Sequence, residues 1–217
     1  MSLFTYIIEH SNEITVLVVQ HGIIFLISII PAIFFGVALS IIVTREGREK
    51  QGNRLLTITA AAQSVPSVAV VAIVFIFVGV GALPAVIALF MYSLVPIVFN
   101  ATSGMLSISS EVVEAAKGIG FTNKQVLWKV KIPLAVPVIM AGVRSAATIN
   151  VGTATVASFI GGGGLGDLIF MGIKLYRSDM IFSGSLIVGL LAIVIDALLR
   201  LLEVKLIPES LRGKVAG

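Results

Sequence analysis

Ile23 to Val43 is a run of 21 residues without one charged side chain. As an α-helix rising about 1.5 Å per residue it is about 31 Å long, enough to cross a hydrocarbon core of about 30 Å. Four further apolar runs follow. Leu55–Val80 is interrupted by Gln63, Ser64, Pro66 and Ser67, and Pro84–Leu106 is uninterrupted by charge. Ile132–Ile160 carries Arg144, and Ile181–Ile207 carries Asp196, Arg200, Glu203 and Lys205 toward its end. Backbone groups inside lipid need partners within their own segment, so these runs are helices rather than open strands. The alternation of apolar and polar residues that marks membrane-barrel strands is absent. The expectation is an all-α integral membrane protein, one domain over residues 1–217. Its five transmembrane helices fall near 23–43, 55–80, 84–106, 132–160 and 181–207.

Composition closes off the other classes. Hydrophobic residues make up 58% and charged residues 12%, against about 45–50% and about 25% in soluble domains. That excludes a soluble globular protein, a disordered tail and a nucleic-acid-binding domain; 15 Lys and Arg against 11 Asp and Glu is a small excess. The chain has no Cys and two His, His10 and His21, which excludes disulfides and argues against a metal site. Leu3–Ile8 and Ile14–Val19 are each too short to span. No Lys or Arg precedes them, which argues against a secretory signal. They predict an interfacial segment leading into the first span.

Basic residues set the orientation. Residues 44–54 carry Arg45, Arg48, Lys50 and Arg54, residues 107–131 carry Lys117, Lys124, Lys129 and Lys131, and the C-terminal end carries Arg200, Lys205, Arg212 and Lys214. The opposite side has Lys174 and Arg177 alone. Twelve against two puts the N-terminus outside and the C-terminus in the cytoplasm, the parity that five spans require.

The longest cytoplasmic connection, residues 107–133, is patterned rather than floppy. Ser110 is a helix cap, with Glu111 and Glu114 following near the positive end of the helix dipole. Gly118 and Gly120 end that helix, and Thr122-Asn123-Lys124-Gln125 fits a capping box for a second. Val126, Leu127 and Val130 give the second helix an apolar stripe beside Trp128, and Pro133 closes it where the fourth span begins. Two readings of these residues are open: a knob that enters a groove of another protein, and a linker lying on the bilayer.

Glu114-Ala115-Ala116, three residues, Gly120, nine residues, then Val130-Lys131-Ile132-Pro133 resembles the EAA loop of ABC-importer permeases, with Val130 and Ile132 as conservative departures. The resemblance implies a type I importer fold like that of the methionine permeases, and a loop that forms the coupling helices docked on an ATPase. Glu114, Ala115, Ala116, Gly118, Gly120 and Pro133 are the coupling residues it implies. Pro66-Ser67, the stretch Ala88–Ile97, the stretch Ile149–Thr155 and Gly161–Asp167 resemble the osmoprotectant branch, whose members serve importers of glycine betaine, carnitine, choline or proline betaine. The alternative is a methionine or amino-acid importer permease, which shares the Gly-rich stretch. The implied setting is a bacterial inner membrane. The implied partners are ATPase subunits, a second permease chain, identical or closely homologous, and an extracytoplasmic binding protein.

No Gly-x-x-x-x-Gly-Lys-Ser/Thr occurs, so this chain does not hold ATP through a P-loop. It is not expected to be an enzyme or to carry a cofactor; ATP and Mg belong to the partner. A secondary transporter would leave the Glu114–Pro133 pattern unexplained and lacks an internal inverted repeat. A membrane enzyme lacks a nucleophile–base pair. The Gly-x-Gly-x-x-Gly in Gly161–Gly166 follows a span instead of a strand, so it reads as a tight external turn before a short surface helix over Leu165–Ile173, with Asp167 near its start.

Five polar residues in the spans are candidates either for a pathway or for structure: Arg144, Asn150, Thr153, Thr155 and Asp196. An intramembrane charge is functional by default, and the structural reading of Arg144 is an ion pair with Asp196. Asn150, Thr153 and Thr155 serve helix packing or a polar path. No aromatic cage for a quaternary ammonium group is visible, which places substrate choice in the binding protein.

Overall fold

The structure is a computed structural model that describes residues 3–206. It is all-helical over those residues. A short α1 (Leu3–Glu9) leads into α2 (Ser11–Val43), followed by α3 (Glu49–Ala62), α4 (Ser67–Val78) and α5 (Ala82–Leu106). Then come α6 (Ser110–Gly118), α7 (Asn123–Val126), a π turn (Leu127–Lys131), α8 (Ile132–Ala157), a 3₁₀ turn (Ser158–Ile160), α9 (Leu165–Lys174) and α10 (Ser178–Leu206). Four helical segments are long and apolar enough to cross a membrane: Ser11–Val43, Ala82–Leu106, Asn123–Ile160 and Ser178–Leu206. The count reaches five if α3 and α4 together make one span.

Three expected boundaries change. The helix that holds the first apolar run begins at Ser11, because residues 11–22 continue it without a break, and of the residues before that run only α1 is a separate helix. The second run is divided. Pro66 caps α4 in an extended conformation, φ −61° and ψ 139°, since a proline lacks the N–H that would continue the helix and biases the residue before it away from helical angles. The fourth span is joined to the loop before it, as described below. The last residue of the fifth run, Ile207, and the basic residues Arg212 and Lys214 lie outside the described residues.

The chain divides into two compact units, residues 1–32, 65–93 and 147–196, and residues 33–64, 94–146 and 197–217. In the first unit, Ile24 of α2, Val71 and Val74 of α4, Ala85, Ala88 and Leu89 of α5, and Ala154 and Ala157 of α8 form one apolar core. A second core joins Tyr6, Ile14, Leu168 and Met180. It is closed by a stack in which the His10 ring lies 4.2 Å from the Tyr6 ring and the Arg177 guanidinium sits 5.2 Å from that ring's centre. Arg177 also donates to both carboxylate oxygens of Asp179, at 3.2 and 2.7 Å. The glycine stretch is the expected turn, with Gly161, Gly163 and Gly164 at positive φ, and α9 follows it with Asp167 in its first turn. Burial raises the Asp167 carboxyl above its ordinary pKa. The helix end ties back through Arg177 N–H to Gly172 O and Tyr176 N–H to Ile173 O, a Schellman closure. Tyr176 holds its left-handed position at φ 54° and is 96% exposed.

In the second unit, Ala101 and Met105 of α5 pack on Ala135 and Ile139 of α8. Small residues let these backbones approach. A Cβ on Gly142 would lie 2.5 Å from Asn100 Cβ and 3.0 Å from Pro96 O, and one on Gly104 would lie 2.8 Å from Val138 Cβ. Gly142→Ala is therefore an overpacking change, expected to cost about 1–3 kcal/mol. A thermal scan in detergent should show a drop of roughly 2–4 °C for each kcal/mol at this chain length. An unchanged midpoint would mean that α5 and α8 separate without cost.

Candidate coupling site in the loop between α5 and α8

The loop is built from local rules. Ser109, not Ser110, is the N-cap of α6, in an extended conformation with no side-chain cap bond; Ser110 is the first helical residue. The helix closes on Gly120. Phe121 N–H donates to Ala116 O at 3.1 Å and Gly120 N–H to Lys117 O at 2.8 Å. These are the two bonds of a Schellman motif, which puts Gly120 at the left-handed position, and its φ is +93°. Two residues on, Thr122 Oγ1 accepts from Gln125 N–H at 3.3 Å while Gln125 Oε1 accepts from Thr122 N–H at 2.8 Å. That is the expected capping box. Lys129 lies 5.7 Å from the centre of the Phe121 ring, a cation–π contact across the corner.

Pro133 does not close the second helix. Helical structure runs without a gap from Asn123 to Ile160, and Pro133 is the second residue of α8. Its ring would crowd the carbonyl of Lys129 in a regular helix. The π turn widens the path just there, with Ile132 N–H donating to Leu127 O. So the knob is one short helix, a glycine corner, and the rigid beginning of a span.

The corner and the α2–α3 turn frame a groove of about 680 Å³. Its wall includes Glu46 and Glu49 from the turn, Met105 from α5, Glu114 and Lys117 from α6, and Trp128 from the π turn. Lys117 Nζ pairs with Glu46 Oε1 at 2.5 Å. Of the motif residues, Glu114, Ala115, Gly118 and Gly120 are exposed, Ala116 is buried and Pro133 is half-buried. Val112, Ile119 and Trp128 add exposed apolar surface. The arrangement offers a partner an apolar patch beside the Glu114 carboxylate of α6, which the Gly120 corner joins to the helix that continues into a span.

None of the intramembrane candidates lines this groove. Asn150 is 1% exposed. Its amide donates to Ser93 Oγ at 2.7 Å and to Ser28 Oγ at 3.0 Å, so it ties α8 to α5 and α2. Thr153 is buried, and Thr155, half-buried, donates to Gly152 O at 2.6 Å. Arg144 pairs with Glu203 at 3.0 Å, the two side chains 28% and 10% exposed, a partner beyond the expected Asp196, which is half-buried on α10. Sequence reasoning overlooked Glu46, Ser28, Ser93 and His21. His21 is fully buried with Nε2 3.1 Å from Val151 O. Its one legible signal was a titratable ring inside an apolar stretch.

The family model for the binding-protein-dependent transport system inner membrane component matches residues 32–208. The chain belongs to this family. It is an ABC-importer permease subunit, a multi-pass protein of the inner membrane. Similar curated members include the carnitine transport permease protein OpuCB of Listeria monocytogenes, 40% identical over all of this chain and 98% of that one. The choline transport system permease protein OpuBB of Bacillus subtilis is 42% identical, over 89% and 88% of the two chains. Among solved structures, an inward-facing form of the MetNI methionine ABC transporter superposes with a TM-score of 0.73, at 19% identity over 87% of this chain and 94% of that one. That likeness establishes the type I importer-permease fold.

Proposed function

We propose that this permease forms the path for a compatible solute with a quaternary ammonium group, such as glycine betaine, carnitine or choline. The observation that carries this reading is the similarity, over 100% and 89% of its length, to permeases named for carnitine and choline transport. The elbow of residues 107–133, with Glu114, Ala115, Ala116, Gly118, Gly120 and Pro133, is where a separate ATPase docks and where ATP and Mg are spent on its side of the contact. Two permease chains related by a two-fold axis enclose the path. ATPase closure moves both elbows together and switches the path from inward-open to outward-open, and an extracytoplasmic binding protein delivers the solute. This chain needs no cofactor of its own.

Asn150 and Arg144 belong to the scaffold, because both are bound by partners inside the fold. Thr153 is buried with them. Thr155 and Asp196, both half-buried, stay candidates for lining the path. The test is uptake of labelled betaine, carnitine, choline and methionine into vesicles holding this permease with its ATPase and binding protein. ATP-dependent uptake of one of the first three is expected. Uptake of methionine in preference would move the protein to the amino-acid branch. Uptake without ATP, lost when the proton gradient collapses, would make it a secondary transporter.

A further inference from the structure

We propose that the Glu46–Lys117 ion pair is a strut that carries displacement of α6 to the α2–α3 turn, and so into the N-terminal span; this rests on the reading of the elbow as the ATPase contact. α6 and the α2–α3 turn both line a space of about 680 Å³. A push on α6 toward an open groove is absorbed by the space unless something rigid crosses it. The Glu46–Lys117 pair crosses it, joining residues 71 apart in sequence at 2.5 Å.

Both ends of the strut are anchored. Lys117 lies in the last turn of α6, and its own carbonyl accepts the Gly120 N–H that closes the helix. Glu46 sits in a turn held by Arg48 N–H to Arg45 O at 2.9 Å and by Gly47 N–H to Glu49 Oε1 at 3.1 Å. Just before it, Thr44 Oγ1 donates to Ser40 O at 2.7 Å, and Thr102 Oγ1 donates to Ser40 Oγ at 3.1 Å, fixing the end of α2 to α5. Force arriving at Glu46 therefore reaches helices rather than a loose loop. The side chains of Lys117 and Glu46 are 36% and 53% exposed, so the pair adds little to stability. Its value lies in direction: it resists compression and extension between two elements that do not otherwise fill the space between them.

The experiment uses the full complex in vesicles and reads solute-stimulated ATPase activity and solute moved per ATP. Glu46→Lys and Lys117→Glu are each expected to lower stimulation by about fivefold or more, the lower end of measured coupling between sites. The exchanged pair Glu46→Lys with Lys117→Glu restores it, and Lys117→Arg retains it. Glu46→Gln serves as the neutral variant should a charge reversal lower membrane yield. If Gly120→Val uncouples in the same assay while the single reversals do not, the strut is disproved and the elbow stands. If the exchanged pair is as defective as the singles, the two residues act separately and the strut is again disproved. If neither Gly120→Val nor the reversals change the ratio, the elbow reading itself falls.

Discussion

Gly120→Val inserts into the membrane at the yield of the unaltered chain but loses solute-stimulated ATPase activity. The reason is local. Gly120 occupies the left-handed position that closes α6, at φ +93°, and a Cβ there would meet nothing within 4 Å. The cost is backbone strain, not collision. A left-handed conformation costs an L-residue about 1–2 kcal/mol, and a β-branched side chain is the least tolerant of it. The helix end relaxes by giving up the bonds to Ala116 O and Lys117 O. The corner then opens while the spans stay intact. The expected loss of stimulation is about tenfold or more, within the range of coupling between sites. Gly120→Asn keeps most of it, because asparagine accepts the left-handed position at a helix end. Normal stimulation in the valine variant would remove the corner from the coupling path.

The second large effect comes from breaking the Arg144–Glu203 pair. Arg144→Leu leaves a carboxylate that is 10% exposed without the guanidinium that faces it at 3.0 Å. Removing one partner of a buried pair costs about 3–5 kcal/mol. The measurement is the melting midpoint of the purified permease, with a fall of roughly 6 °C or more at 2–4 °C per kcal/mol. Arg144→Leu with Glu203→Leu together recovers most of it, because two apolar side chains need no partner in lipid. A double variant no more stable than the single one would show that the pair is not what holds α8 to α10.

These two positions also show what the amino-acid order reveals. The corner at Gly118–Gln125 was legible almost residue by residue, because its bonds close within six positions: a cap, a left-handed glycine and a reciprocal box. The cap shifted by one, from Ser110 to Ser109, as boundary assignments do. Arg144 was legible as a paired charge, with Asp196 as the expected partner; that Glu203 also faces it was not. Asp196 and Glu203 are seven positions apart, two turns along nearly the same face of α10. Sequence names that face; that Glu203 reaches Arg144 depends on how α10 packs along its neighbour. The division of the second run at Pro66 was visible as a proline, but not as the end of one helix and the start of another. Glu46 and Lys117 carried no signal at all, since a pairing across 71 positions is a property of the folded chain.

The π turn at Leu127–Lys131 has a consequence for how such elbows diversify. It holds one residue more than a regular helical turn would, and each residue added to or removed from a helix rotates everything beyond it by about 100°. The wide turn absorbs that extra residue, so a one-residue deletion there would close it to a regular turn and bring the Pro133 ring against the carbonyl four residues before it. A lineage that shortened its cytosolic handle at this point would thus have to give up the proline as well.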